Sequence, residues 1–195
     1  MPEIGDKAPD FAMPTDGEGD ISLASLKGKN VVLYFYPKDN TPGCTTEAID
    51  FSAKIKEFDK AGAVVVGVSR DSVKKHANFR EKHDLHVILG ADEDGSVCEA
   101  YGVWVEKMNY GRKYMGIERS TFLIDGKGVI RNVWRKVKVK GHADAVLEAV
   151  QALSCRIAPP ARTSPNCCRL PTCRAAVAAR RRRVPPCSML CSISS

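Results

Sequence analysis

Apolar residues cluster along this chain in short runs and helical periods that follow a strand–helix order. Val31 to Tyr36 (VVLYFY) is an unbroken run of β-branched and aromatic residues, the pattern of a strand buried on both faces of a parallel sheet. Pro37 cannot donate to a ladder and ends that strand. After a polar loop, Thr41-Pro42 reads as a helix start, with Thr as N-cap and Pro at the first helical position. Ala48, Phe51, Ile55 and Phe58 then recur at helical spacing and predict an amphipathic helix to about Lys60. Gly62 separates it from a second buried strand, Ala63 to Ser69, which completes a βαβ unit.

The rest of the chain continues the order. Asp71 is expected to cap a helix from about Ser72 to Asp84, with Val73, Ala77 and Phe79 facing inward. His86 to Leu89 predicts a third strand, and Asp94 to Gly102 a short helix containing Cys98. Val103 to Gly116 has no clear period and reads as an excursion over the surface. Ser120 to Asp125 and Val129 to Arg135 flank Gly126-Lys127-Gly128, a hairpin with a glycine-bearing turn. Val146, Leu147, Val150 and Leu153 mark a closing amphipathic helix that starts near Gly141. At the other end, Gly5 to Pro14 and Asp20 to Ser22 predict a hairpin turned at Asp16-Gly17, and Leu23 to Leu26 at most one helical turn.

Composition divides the chain. Of its 195 residues, those from Ser154 onward include eight arginines but no lysine, acid or aromatic residue. Removing those eight from the thirty basic residues leaves twenty-two against twenty-three acidic ones, so the overall charge of +7 becomes −1 for the main part. The expected division is a domain over residues 1–153 and an Arg/Pro/Cys-rich tail over residues 154–195. The tail cannot bury enough apolar surface to offset its ordering entropy and is expected to be disordered. Out-of-frame or read-through translation after a natural end near Leu153 is the first reading of it, ahead of an Arg180-to-Arg183 contact with nucleic acid. A zinc site in the tail has little support, because Cys167-Cys168 and Cys173 lack paired C-x-x-C spacing.

The main part holds only Cys44 and Cys98, too few for a disulfide framework, so a reducing compartment is expected. The start has no secretory pattern and no apolar run approaches membrane-spanning length. A cytoplasmic location and no membrane contact follow as expectations.

Cys44 falls in the first turn of the helix after the buried strand. A thiol attacks as its anion, and an unperturbed cysteine is mostly protonated at neutral pH. First-turn N–H groups favour an anion by roughly 1–2 kcal/mol, so a fixed cation from elsewhere is required as well. The alternative for Cys44 is a small buried hydrophobe, against which stand the polar turn, the helix start and the hydroxyl of Thr41.

Pro37-x-x-x-Thr41-x-x-Cys44-x-x-Glu47 resembles the active-site signature of the peroxiredoxins, and YPKDNTPGCTTEAIDF is similar to the bacterioferritin comigratory protein (peroxiredoxin Q) subgroup. The similarity continues through GIERSTFLID and VWRKVKVKGHA, covering about Gly5 to Leu153. It implies an α/β, thioredoxin-like fold with the peroxiredoxin N-terminal hairpin and insertion. It also supplies the missing cation: Arg119, in GIERSTF, matches the arginine that the family places beside the reactive sulfur. In the family the hydroxyl at Thr41 bonds peroxide and sulfur, Pro37 shields the thiolate, and Glu47 helps orient the arginine.

The implied activity is reduction of hydrogen peroxide and organic hydroperoxides through a sulfenic acid on Cys44, without metal or organic cofactor. Two other readings stay open: a peroxide sensor or redox-signalling protein, and a thioredoxin-like binding module with a basic tail. Many of the subgroup carry a resolving cysteine where this chain has Ile49, and others near Arg80. With neither present, and Cys98 read as structural, the expectation is a one-cysteine cycle in a monomer, with reduction by thioredoxin or another external thiol. His76, His83, His86 and His142 read as surface or cap residues, and Trp104 and Trp134 as packing groups.

Overall fold

In the computed structural model, residues 1–17, 19–109 and 112–157 are described. The disorder expected for the tail falls, beyond residue 157, outside them. A hairpin of β1 (Ala12–Pro14) and β2 (Asp20–Ser22) precedes a 3₁₀ turn at Ala24–Leu26. Then follow β3 (Asn30–Phe35), α1 (Pro42–Ala53), α2 (Ile55–Lys60), β4 (Ala63–Ser69), α3 (Val73–His83), β5 (Ile88–Ala91) and α4 (Ser96–Ala100). The chain closes with β6 (Trp104–Asn109), β7 (Arg112–Ile117), β8 (Ser120–Ile124), β9 (Ile130–Arg135) and α5 (His142–Ile157).

The central sheet has the order β5-β4-β3-β8-β9, parallel across β5, β4 and β3 and antiparallel across β3, β8 and β9. Every residue of β3 is buried, as its continuous apolar run requires. Alternation along β3 sends Val31, Leu33 and Phe35 to one face, with the N-terminal hairpin, α4 and Cys98. Val32, Tyr34 and Tyr36 go to the other, with α1, α2, α3, α5 and Cys44. On that face the Tyr34 ring lies over Gly67 of β4, where a Cβ would stand 2.5 Å from it. Any side chain there would displace Tyr34 or pry β3 from β4.

The thioredoxin-like order is present, with local departures from expectation: the first hairpin strand is only Ala12–Pro14 of the expected Gly5 to Pro14, the third strand lies two residues later than His86 to Leu89, and four further differences are larger. The helix expected to run unbroken to Lys60 is interrupted at Lys54, whose N–H turns back to Phe51 and Ser52; no glycine or proline signals the break, and the Lys54 ammonium instead pairs with Asp144 of α5. Ser72 and not Asp71 is the N-cap residue of α3. The Asp71 carboxylate faces the loop between β3 and α1, accepting from the Asp39 N–H at 2.9 Å. The segment from Val103 to Gly116 is no irregular excursion but the two-stranded ribbon β6–β7. Apart from Ile117, its described side chains are half-buried or exposed, so no continuous period-two pattern was imposed on the sequence. Finally α5 runs four residues past Leu153, and Ser154 Oγ donates to the Ala61 carbonyl at 2.7 Å.

Candidate active site

The loop that carries the candidate residues leaves the sheet at the carboxyl end of β3, its central strand. β3 stops at Phe35, the chain turns through Asn40 in the left-handed region (φ 57°), and α1 begins at Pro42. Thr41 is the N-cap residue with extended backbone, but its hydroxyl makes no cap bond. It donates instead to the Lys38 carbonyl at 3.1 Å, a local side-chain bond that competes with capping and holds the loop closed. Cys44 follows in the first helical turn and is 2% exposed.

Register places the cation. β8 pairs antiparallel with β3, Phe35 opposite Ser120, so the residue before Ser120 lies at the loop end of β3. That residue is Arg119, held by its carbonyl accepting from the Val137 N–H at 3.1 Å. Its Nη2 donates to Cys44 Sγ at 3.0 Å. Gly43 permits the approach: a Cβ there would lie 3.2 Å from both terminal guanidinium nitrogens. Glu47, one turn beyond Cys44 on the same helix face, sets Oε2 3.4 Å from Arg119 Nε. The guanidinium thus spans an acid and a sulfur, both almost sealed from water. Pro37 is on the outside: it is exposed, and lines a cavity beside the loop.

Burial pushes the Glu47 carboxyl up to about 7, against the Arg119 charge, with Asp50 adding to the rise. A group whose folded pKa lies above its unfolded value binds a proton more readily when folded. Its stabilising contribution is complete below pH 4.5 and is lost as pH rises through about 7. Glu47→Gln is therefore expected to be more stable than the parent at pH 8, by on the order of 3 kcal/mol, and to converge with it below about pH 4.5. Urea unfolding at the two pH values checks this; equal stability at pH 8 would show that Arg119 fully compensates the buried charge.

Beneath the loop lies a polar cluster that the sequence did not disclose. His76, expected at the surface, has no exposed area, and its Nδ1 is 2.8 Å from Asp39 Oδ2. Tyr36 Oη donates to the other carboxylate oxygen at 2.8 Å. His142 is likewise buried, its Nε2 2.8 Å from Thr121 Oγ1, and burial lowers its pKa to about 4. The Asp39–His76 contact spans 37 residues, so no local period could reveal it. His76→Leu is expected to strand the Asp39 carboxylate and cost roughly 1–3 kcal/mol or more, read as a lower urea midpoint. An unchanged midpoint would mean that the loop does not depend on the pair.

Cys98 lies on the far face of the sheet and has no exposed area. Burial first, and then Asp92, push its thiol far above the ordinary range. Asp92 also accepts from the Val97 and Cys98 N–H groups at 3.2 and 2.8 Å, fixing α4. Ile49 is 43% exposed on α1. Arg80 is committed elsewhere, to Asp16 at 2.7 Å and the Val87 carbonyl at 2.6 Å, tying the N-terminal hairpin to α3 and β5.

The AhpC/TSA family profile matches residues 4–133. Peroxiredoxin Bcp of Bacillus subtilis is 51% identical over 152 residues, spanning 78% of this chain and 97% of that protein. Peroxiredoxin Bcp of Xanthomonas campestris is 52% identical over 143 residues, spanning 73% and 89%. A solved structure of the Xanthomonas campestris bacterioferritin comigratory protein, from work on its alkyl peroxide reduction activity, superposes with a TM-score of 0.71. It is 50% identical, across 74% of this chain and 92% of that one. A serine variant of Xylella fastidiosa PrxQ gives a TM-score of 0.75 at 40% identity, across 79% and 98%. With its fold, its Cys44–Arg119 pair and these likenesses together, the chain belongs to the AhpC/TSA family, among the Bcp or peroxiredoxin Q proteins.

Proposed function

We propose that this chain is a thiol-dependent peroxidase in which Cys44 attacks hydrogen peroxide or an organic hydroperoxide. The observation that carries this reading is the Arg119 guanidinium 3.0 Å from a first-turn sulfur. The thiolate attacks one peroxide oxygen, the O–O bond breaks, and the second oxygen leaves with its electron pair, taking up a proton as water or alcohol. Cys44 becomes a sulfenic acid. Arg119 stabilises the charge gathering on the departing oxygen, in a site where water does not screen it. Thr41 offers its hydroxyl at the mouth of the loop, Glu47 holds Arg119 in place, and Pro37 borders the entrance.

The same reading makes resolution external. Cys98, across the sheet and with a strongly raised pKa, is poorly placed to condense with Cys44. Thioredoxin or another thiol then returns Cys44 to the thiol state, in a monomer working in the cytoplasm. We further propose that residues 154–195 add nothing to the chemistry.

The test is consumption of hydrogen peroxide and an alkyl hydroperoxide by the purified chain with thioredoxin, its reductase and NADPH. Turnover is expected with both substrates, at the same rate in a chain ending at Ile157. Absence of turnover with every thiol supplied would remove the peroxidase reading.

A further inference from the structure

Asp39, in the loop between β3 and α1, is an acid almost cut off from water, 6% exposed. A carboxylate in such a place persists only where donors meet it. Tyr36 Oη donates to Oδ1 at 2.8 Å, and His76 Nδ1 lies 2.8 Å from Oδ2. An ionised carboxylate can only accept, so the imidazole proton on that side sits on Nδ1. The other ring nitrogen, Nε2, is buried and meets no partner among the described residues. The ring's hydrogen bonding is thus directed at the loop, through Asp39 and, at 3.3 Å, Tyr36 Oη. The main chain is gripped as well. The Asp39 N–H donates to Asp71 Oδ2 at 2.9 Å, and the Tyr36 N–H to the Val68 carbonyl at 3.1 Å. Asp71 is itself fixed, its N–H donating to Ser69 Oγ at 3.1 Å and Lys75 Nζ donating to its Oδ1 at 3.3 Å.

This grip ends just before the N-cap of α1. Between them stands Asn40 in the left-handed region (φ 57°), a conformation that a non-glycine residue keeps when its surroundings over-determine it. Asn40 Oδ1 accepts from Lys82 of α3 at 3.4 Å. On its far side the Thr41 carbonyl accepts from the Thr45 N–H at 2.9 Å and opens the helix that carries Cys44. Sulfur and guanidinium therefore come from separate elements, and their 3.0 Å contact needs both held. Pairing of β8 with β3 places Arg119. The bonds on Asp39, from the end of β4 and from α3, place the start of α1. Apolar packing alone would bury the loop, whereas a satisfied polar network also fixes its orientation.

We propose that Asp39, His76 and Tyr36 are positioning residues for the peroxide step, acting through the loop to keep Cys44 Sγ within reach of the Arg119 guanidinium. The assignment rests on the peroxidase reading and deepens it. Attack on peroxide expels an oxygen whose charge Arg119 must meet, so a shift of about 1 Å between sulfur and donor is costly. Attack on iodoacetamide expels iodide, which needs neither a proton nor a donor. Both reactions draw on the same thiolate, so the ratio of their rates reports alignment.

The full chain is reduced, and two rates are read on the Cys44 peptide by quenched mass spectrometry at one pH. One is trapped sulfenic acid formed with hydrogen peroxide; the other is alkylation by iodoacetamide. Asp39→Ala and His76→Leu are expected to lower the peroxide rate by about tenfold to a hundredfold. Alkylation is expected to stay level or quicken, because a loosened loop uncovers a buried sulfur. His76→Asn, whose amide nitrogen stands where Nδ1 does, is expected to recover most of the lost ratio. Tyr36→Phe keeps the ring and drops one donor; it should shift the ratio in the same direction, and it carries the comparison if the other two variants do not fold. Ile130→Ala, in the core on the opposite face of the sheet, is expected to lower the melting temperature and keep the parent's ratio. Parental peroxide rates in the loop variants, equal losses of both rates, or the same selective loss in Ile130→Ala would each overturn the assignment. In all three cases the parent still reacts with peroxide and the peroxidase reading stands. A parent chain whose Cys44 takes up no oxygen would remove both.

Discussion

Cys44→Ser is expected to lose peroxide reduction by roughly 10⁴–10⁶-fold, the scale on which deleting a nucleophile acts. A serine hydroxyl is not ionised at neutral pH and is a poor nucleophile toward the O–O bond, whereas the thiolate is both charged and polarisable. The fold should not register the change. Cys44 is 2% exposed and accepts a hydrogen bond from Arg119, a role that a serine oxygen of nearly the same shape can fill. Thermal unfolding is therefore expected to agree with the parent within about 1 kcal/mol. Peroxide consumption and a melting curve on the same sample separate the two effects. Retained turnover would place the chemistry on another residue.

Arg119→Ala is expected to slow the peroxide step by about 10²–10³-fold, the usual cost of removing one donor from a site of developing negative charge. Its effect on stability has a definite sign. Arg119 is the influence that holds the Glu47 proton down against burial. Without it the folded-state pKa of Glu47 rises further above the unfolded value, so stability is lost over a wider window as pH rises. The variant should accordingly fall furthest below the parent at pH 8 and approach it in mildly acidic solution. Arg119→Lys restores the charge without the planar fork that spans sulfur and carboxylate, and should recover only part of the rate. Adding Glu47→Gln to Arg119→Ala should recover stability and not rate, a coupling that a double-mutant cycle reads. Full rate in Arg119→Ala would mean that the contact with Cys44 is structural.

The frame of the fold was legible because burial wrote itself into the sequence. β3 is sealed on both faces and reads as an unbroken apolar run, and α1 opens on a proline, a residue suited to the first helical position. Cys44 was legible for the same reason, as the first-turn residue after that strand. Arg119 was required on physical grounds, but the family likeness had to locate it, since its position depends on the pairing of β3 with β8. Contacts between distant segments were not legible. His76 reads as one polar residue on a polar helix until Asp39 is folded against it. Gly43 reads as an ordinary turn residue until a guanidinium lies against it. The ribbon β6–β7 escaped because a two-stranded surface element need not hide one face, and the cavity it walls escaped with it.

Mass analysis of the Cys44 peptide, after the reduced chain meets one equivalent of hydrogen peroxide, decides whether the whole site works as described. The account predicts one added oxygen on Cys44, captured by a sulfenic-acid trap, with Cys98 left as a thiol on its own side of the sheet. A dominant Cys44–Cys98 disulfide that disappears in Cys98→Ser would contradict it, as would peroxide consumption with Cys44 unmodified.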